Sequence, residues 1–165
     1  MGGTVTRVLL VTGARSLADD RAAEAWARGL IAAALVGVDL LIVGDAPGPD
    51  AWAWEIARID RHRYWTRTAH AGSIEARFDD GSLQAWWTWG SRNTHPLARN
   101  AAMVADATGY RDRDGDDVRC LALLDGRKPA VTRPGEKRPT RGTEHTAGLA
   151  RAAGLTVDAQ TWGSR

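Results

Sequence analysis

Apolar and polar positions alternate between two rhythms along the chain. Val8 to Val11 is a continuous apolar run that leads into Thr12-Gly13-Ala14-Arg15-Ser16. Asp19-Asp20 then opens a stretch with Ala23, Trp26, Ala27, Leu30, Ile31, Ala34 and Leu35 at helical spacing. Asp39 to Val43 reads as a second buried strand, Pro49 to about His62 as a helix, and Tyr64 to Ala69 as a third strand. Strand, helix, strand at this length predicts parallel pairing through a crossover, so the fold class is α/β.

The rhythm then changes. Asp80-Gly81 lies between two stretches of mixed apolar character and predicts a β-hairpin near residues 72–89. A two-residue turn there pairs Phe78 with Leu83, Ala76 with Ala85 and Ile74 with Trp87 on one face. Such a ribbon is marginal alone, so packing on its own domain is favoured over a lid or a subunit contact. Pro96 to about Thr108 reads as a further helix, Asp112 to Asp117 as an acidic surface turn, and Val118 to Leu124 as the fourth strand. A helix follows from Gly142-Thr143, with Thr143 as its N-cap. Gly154 stops it, and Leu155 to Ala159 supplies a fifth strand. The sum is a parallel sheet of about five strands with helices on both faces and one inserted hairpin, in a single domain over 1–165.

Charge and composition narrow the chemistry. The net charge is +2 with a pI near 9.1, too small a balance for bulk nucleic-acid binding. The cations are almost all arginine, which suits phosphate and carboxylate but also follows from compositional bias. The lone cysteine, Cys120, allows no internal disulfide and reads as a buried small hydrophobe. No apolar run of signal-peptide or membrane-span length is present, so a cytoplasmic location is expected. The histidines show no ligand spacing, so neither a metal nor a cofactor is expected.

Open α/β sheets bind ligands outside the carboxyl ends of their strands. Candidate residues therefore lie in the loops that leave those ends. Gly13, Arg15 and Ser16 follow the first strand, and Gly44, Asp45 and Asp50 the second. Arg99 and Asn100 stand at one helix start, where unsatisfied amides favour an anion, or else form two solvated surface positions. Asp125 to Arg141 carries Arg127, Lys128, Arg133, Lys137, Arg138 and Arg141. It is either a phosphate clamp or a solvated charge run, and it ends at Gly142-Thr143.

In order and spacing, VTGARS, GDAPGPDAWAWEIA, PLARNAAMVADA and RGTEHTAGLARAAGL resemble the Rossmann-like SLOG superfamily. That group includes lonely-guy-type phosphoribohydrolases and DprA-like proteins, and the nearest likeness is to its small bacterial branch. The resemblance implies a nucleotide or nucleotide-derived ligand, ADP-ribose-like or a nucleoside monophosphate, held by a sensor or binding module. Gly13, Arg15 and Ser16 then line one wall, Gly44, Asp45 and Asp50 the second, Arg99 and Asn100 the third, and Arg141, Gly142 and Thr143 the phosphate anchor. The alternative is a nucleotide N-glycosidase, in which Arg99 orients the substrate and Glu144, or Asp45, stabilises oxocarbenium character. The phosphoribohydrolase signature Pro-Gly-Gly-x-Gly-Thr-x-x-Glu is not reproduced, because Pro134-Gly135 precedes a basic stretch and Glu144 directly follows Thr143. A third expectation is single-stranded nucleic-acid binding through the basic loop and Trp86. The resemblance further implies a homo-oligomer.

Overall fold

The structure is a computed structural model that describes residues 5, 7–44, 47–59, 65–70, 72–79, 82–89, 96–127 and 142–163. For 58–59, 65–70, 72–79, 82–89 and 96–99 it describes the backbone alone. Strand β1 (Arg7–Gly13) leads into a short 3-10 helix (Arg15–Asp19) and helix α1 (Arg21–Ala34). Asp20 caps α1 by accepting from the amides of Ala22 at 2.8 Å and Ala23 at 3.2 Å, which satisfies donors that the first turn leaves open. Strand β2 (Leu40–Gly44) and helix α2 (Pro49–Ile59) follow. Pro49 is the first helical residue, where its missing N–H costs nothing.

Strands β3 (Trp65–His70), β4 (Gly72–Asp79) and β5 (Ser82–Trp89) precede helix α3 (Pro96–Asp114), and strand β6 (Asp117–Asp125), helix α4 (Gly142–Ala152) and strand β7 (Thr156–Trp162) complete the chain. All the strands belong to one sheet in the order β5-β4-β3-β2-β1-β6-β7. The parallel unit β2-β1-β6-β7 carries the described core, and β3 joins β2 in parallel.

The hairpin extends the sheet itself, because β4 pairs antiparallel with β3, and its register corrects one expectation. Phe78 does pair with Leu83 and Ala76 with Ala85, but a register shift between Glu75 and Ala76 moves Trp87 opposite Glu75 and Thr88 opposite Ile74. One extra residue in one strand moves every later pair. The turn at Asp80-Gly81 lies outside the described residues.

Helix α3 also runs past Thr108 to Asp114, so half of the acidic stretch is helical and not a turn. The stop comes at Gly115, whose φ of +69° suits glycine and whose N–H donates to the Arg111 carbonyl. Helix α4 ends as expected at Gly154, with φ +82°. Gly154 N–H donates to Arg151 O and Leu155 N–H to Ala150 O, a Schellman closure.

Two apolar layers flank the sheet. Leu9, Val11, Leu41, Val43, Leu121 and Leu123 face α1 and α2, while Val8, Leu10, Leu40, Ile42, Val118 and Cys120 face α3 and α4. Neighbouring residues of a strand thus point to opposite layers. Among the described residues no helix is long and apolar enough to cross a membrane.

Candidate functional site

From β1 the chain steps outward to β2 and β3, then returns to place β6 on the other side of β1. Strand order therefore reverses between β1 and β6, and the carboxyl ends of these two strands border the crevice where such sheets take ligands. Each of the four helices follows a strand or precedes one in the parallel unit, so all four begin at this edge. The sheet divides the edge into two sides.

On the α1/α2 side the crevice is filled by the protein itself. A Cβ built on Gly13 would fall inside the van der Waals envelope of the Pro49 ring, so this glycine admits α2 and not a ligand. Gly48, with φ +92°, lies against Ala14 and Arg15, the site a Cβ would take being 3.4 Å from Ala14 O. The first two loops are packed on each other.

The same side carries a polar clasp. Ser16 Oγ donates to Asp125 Oδ2 at 2.6 Å. Arg127 meets Asp125 with Nε on Oδ1 at 2.9 Å and Nη2 on Oδ2 at 2.7 Å, and also reaches Ser16 O at 2.8 Å and Asp20 Oδ2 at 3.3 Å. The Arg127 guanidinium, aided by Ser16 and the Arg127 amide, holds the Asp125 carboxyl down at about 2 against the opposing effect of burial. Asp20 is likewise lowered, chiefly by the Ala23 and Ala22 amides. Arg127, expected in the basic cluster, is thus committed to the fold. Trp162 covers this region, its ring 5.5 Å from that of Trp26.

The α3/α4 side differs. By alternation Thr12 lies on the face of Leu10, and Ala122 on that of Cys120. Small or polar groups therefore replace the large apolar residues as the strands reach the edge. Helix α4 packs on β1 and β6 here. Gly142 lies close to Asn100, whose Nδ2 is 3.7 Å from where a Gly142 Cβ would stand. The start of α4 thus meets the second turn of α3, and helix-start amides such as those of α4 favour an anion. Asn100 and Thr143 are each 8% exposed. Thr143 is the second residue of α4, not its N-cap, because the helix already begins at Gly142.

The expected residues are therefore distributed unevenly. Asn100, Gly142 and Thr143 come together on the α3/α4 side, and Gly44 ends β2 on the face of Ile42. Ser16 and Gly13 belong to the opposite side. Arg15 is exposed on the 3-10 helix, and Asp50 is buried in the first turn of α2. Glu144 and His145 are both exposed, off the buried α4 face formed by Thr143, Thr146, Ala147 and Ala150. Asp45, Arg141 and the stretch 128–141 lie outside the described residues, as does the Arg99 side chain. Thr12, which no loop motif marks, is the residue that sequence reasoning passes over.

A second concavity, about 470 Å³, runs between α3 and α4 and is lined by residues including Ala101, Val104, Ala105, Gly109 and Leu149. Its Thr108 hydroxyl already donates to Val104 O, and Asp112 is the charged group among its described lining residues. Cys120 is buried mid-strand, and burial pushes its thiol up to about 12, which removes it as a nucleophile.

Fold and edge together define an α/β protein whose strand order reverses between β1 and β6. No family model, curated protein or solved structure matches the chain.

Proposed function

We propose that the protein binds a nucleotide or nucleotide-derived ligand, ADP-ribose-like or a nucleoside monophosphate, at the carboxyl ends of β1 and β6. The observation that carries this reading is the meeting of the α4 start at Gly142 with Asn100 of α3 beside the strand reversal. A helix N-terminus suits an anionic, hydrogen-bonding group such as a phosphoryl. The SLOG resemblance supports the same ligand class, with Arg141, Gly142 and Thr143 as anchor and Arg99 nearby in sequence.

The role is that of a sensor or binding module. Glycosidic cleavage needs a carboxylate beside the sugar, and Glu144 stands exposed on α4. A homo-oligomer belongs to the same proposal, with the β4–β5 ribbon at the edge of the sheet as the contact.

Thermal unfolding with AMP, ADP-ribose and cyclic AMP tests the reading. A ligand at 100 times its dissociation constant adds about 2.7 kcal/mol, so at least one of these raises the midpoint by several degrees. No shift with any of them removes the proposal.

A further inference from the structure

Thr12 and Thr143 are each more than nine-tenths buried, at 8% exposure. Among the described residues neither hydroxyl has a hydrogen-bonding partner, whereas the neighbouring Thr146 hydroxyl donates to Gly142 O at 2.8 Å. Buried polar groups are almost always paired, so two unpaired hydroxyls at one edge of the sheet require an explanation. Valine has nearly the shape of threonine, and at Thr12 it would match the Val8 and Leu10 that precede it on this face. Nothing in the packing of the described residues calls for an oxygen.

Both groups lie at the carboxyl edge of the sheet, on its α3/α4 side. Thr12 stands on the β1 surface that α4 packs against, at the end of the strand, and Thr143 on the α4 surface turned to the sheet. Next to Thr143 are the Gly142 backbone and the Asn100 amide. A hydroxyl both donates and accepts, whereas a phosphoryl oxygen only accepts. Two hydroxyl donors beside the start of α4 therefore match an oxygen-rich anion, in a place where the helix dipole also favours negative charge.

We propose that Thr12 and Thr143 form a paired-hydroxyl subsite that hydrogen-bonds a phosphoryl group of the ligand, with Thr12 as the contact supplied by the sheet. This rests on the nucleotide-binding reading and assigns a residue to it. The α1/α2 side is closed by the Gly13–Pro49 packing and the Ser16–Asp125 bond, so the phosphoryl enters from the α3/α4 side.

The test is calorimetric titration of AMP and ADP-ribose into the wild type, Thr12→Val and Thr12→Ser, with inorganic phosphate as competitor. Loss of a hydrogen bond to a charged group weakens binding about tenfold or more in Thr12→Val. Thr12→Ser keeps the hydroxyl and stays close to the wild type. The ligand-free Thr12→Val protein melts at or above the wild-type temperature, because an unpaired buried hydroxyl has been removed. Phosphate competes with AMP in the wild type.

Binding to Thr12→Val as tight as to the wild type overturns the subsite and leaves the nucleotide reading standing. A Thr12→Val protein that melts several degrees lower, or does not fold, shows a structural hydroxyl and overturns it too. Failure of phosphate to compete overturns the phosphoryl assignment. Failure of the wild type to bind either nucleotide removes the subsite and the wider reading together.

Discussion

Ser16 Oγ donates a 2.6 Å hydrogen bond to Asp125 Oδ2 across 109 positions of sequence and joins the turn after β1 to the end of β6. Arg127 grips the same carboxylate with two donors. The clasp gives the protein a definite acid dependence. Asp125 titrates at about 2 in the fold and near 4 in an unfolded chain. A group whose pKa is lowered on folding stabilises the native state fully above the unfolded value, and that stability is lost as pH falls through the folded one. Urea unfolding of the wild type and Asp125→Asn is expected to show a stability gap that narrows by about 2 kcal/mol from about pH 5 to about pH 2. A gap constant over that window contradicts the clasp.

Gly13 has no room for a side chain. Pro49 is fully buried against it, and relief of the contact requires β1 to part from α2. Gly13→Ala is expected to destabilise the protein by about 1–3 kcal/mol, the range of overpacked cores. Chemical unfolding measures this. A change below about 0.5 kcal/mol, typical of surface substitutions, would mean that the loop yields freely and that the position was kept open for something other than proline.

Trp162 closes the clasp from β7. Its ring tilts 46° to that of Trp26 and rests on the α1/α2 apolar layer, and its indole N–H helps to lower Asp20. Trp162→Ala is expected to cost less than the about 3–5 kcal/mol of a fully buried tryptophan, yet clearly more than a surface change. The same variant should raise hydrogen exchange along β7 before the rest of the sheet. Unchanged exchange there would show that β7 is held by its ladder with β6 alone.

The α/β rhythm was legible because long apolar runs and 3.6-residue periods are local signals. Asp20 as a cap, Pro49 and Pro96 as first helical residues, and Gly154 as a stop are local too, and each stands where its chemistry requires. The register shift opposite Glu75/Ala76, which leaves Trp86 as the extra residue of β5, was not legible, since a tryptophan in a strand does not mark a bulge, and so the pairing beyond it slipped by one. The length of α3 was misread for a related reason. Asp112, Arg113 and Asp114 look like a turn by composition, but a helix continues through polar residues until a residue such as Gly115 ends it.

At the candidate site the difficulty was of another kind. A glycine that admits a proline ring and one that admits a phosphate look alike in sequence, so Gly13 was assigned to a ligand wall. Arg127 likewise reads as a free cation until Asp125, Ser16 and Asp20 are placed around it. Asn100, Gly142 and Thr143, which the fold brings together, were nameable because residues near helix starts are recognisable in sequence. Thr12 was not, because a hydroxyl within a strand draws notice only when its face and its burial are known.

The central claim is that a nucleotide occupies the crevice on the α3/α4 side. Amide chemical-shift mapping of the isotopically labelled protein during titration with AMP or ADP-ribose locates the ligand directly. Shifts concentrated at Thr12, Asn100, Gly142 and Thr143 are the predicted result. Shifts confined to the outer α3–α4 groove around Ala105 and Leu149, or no shifts at all, would contradict the account.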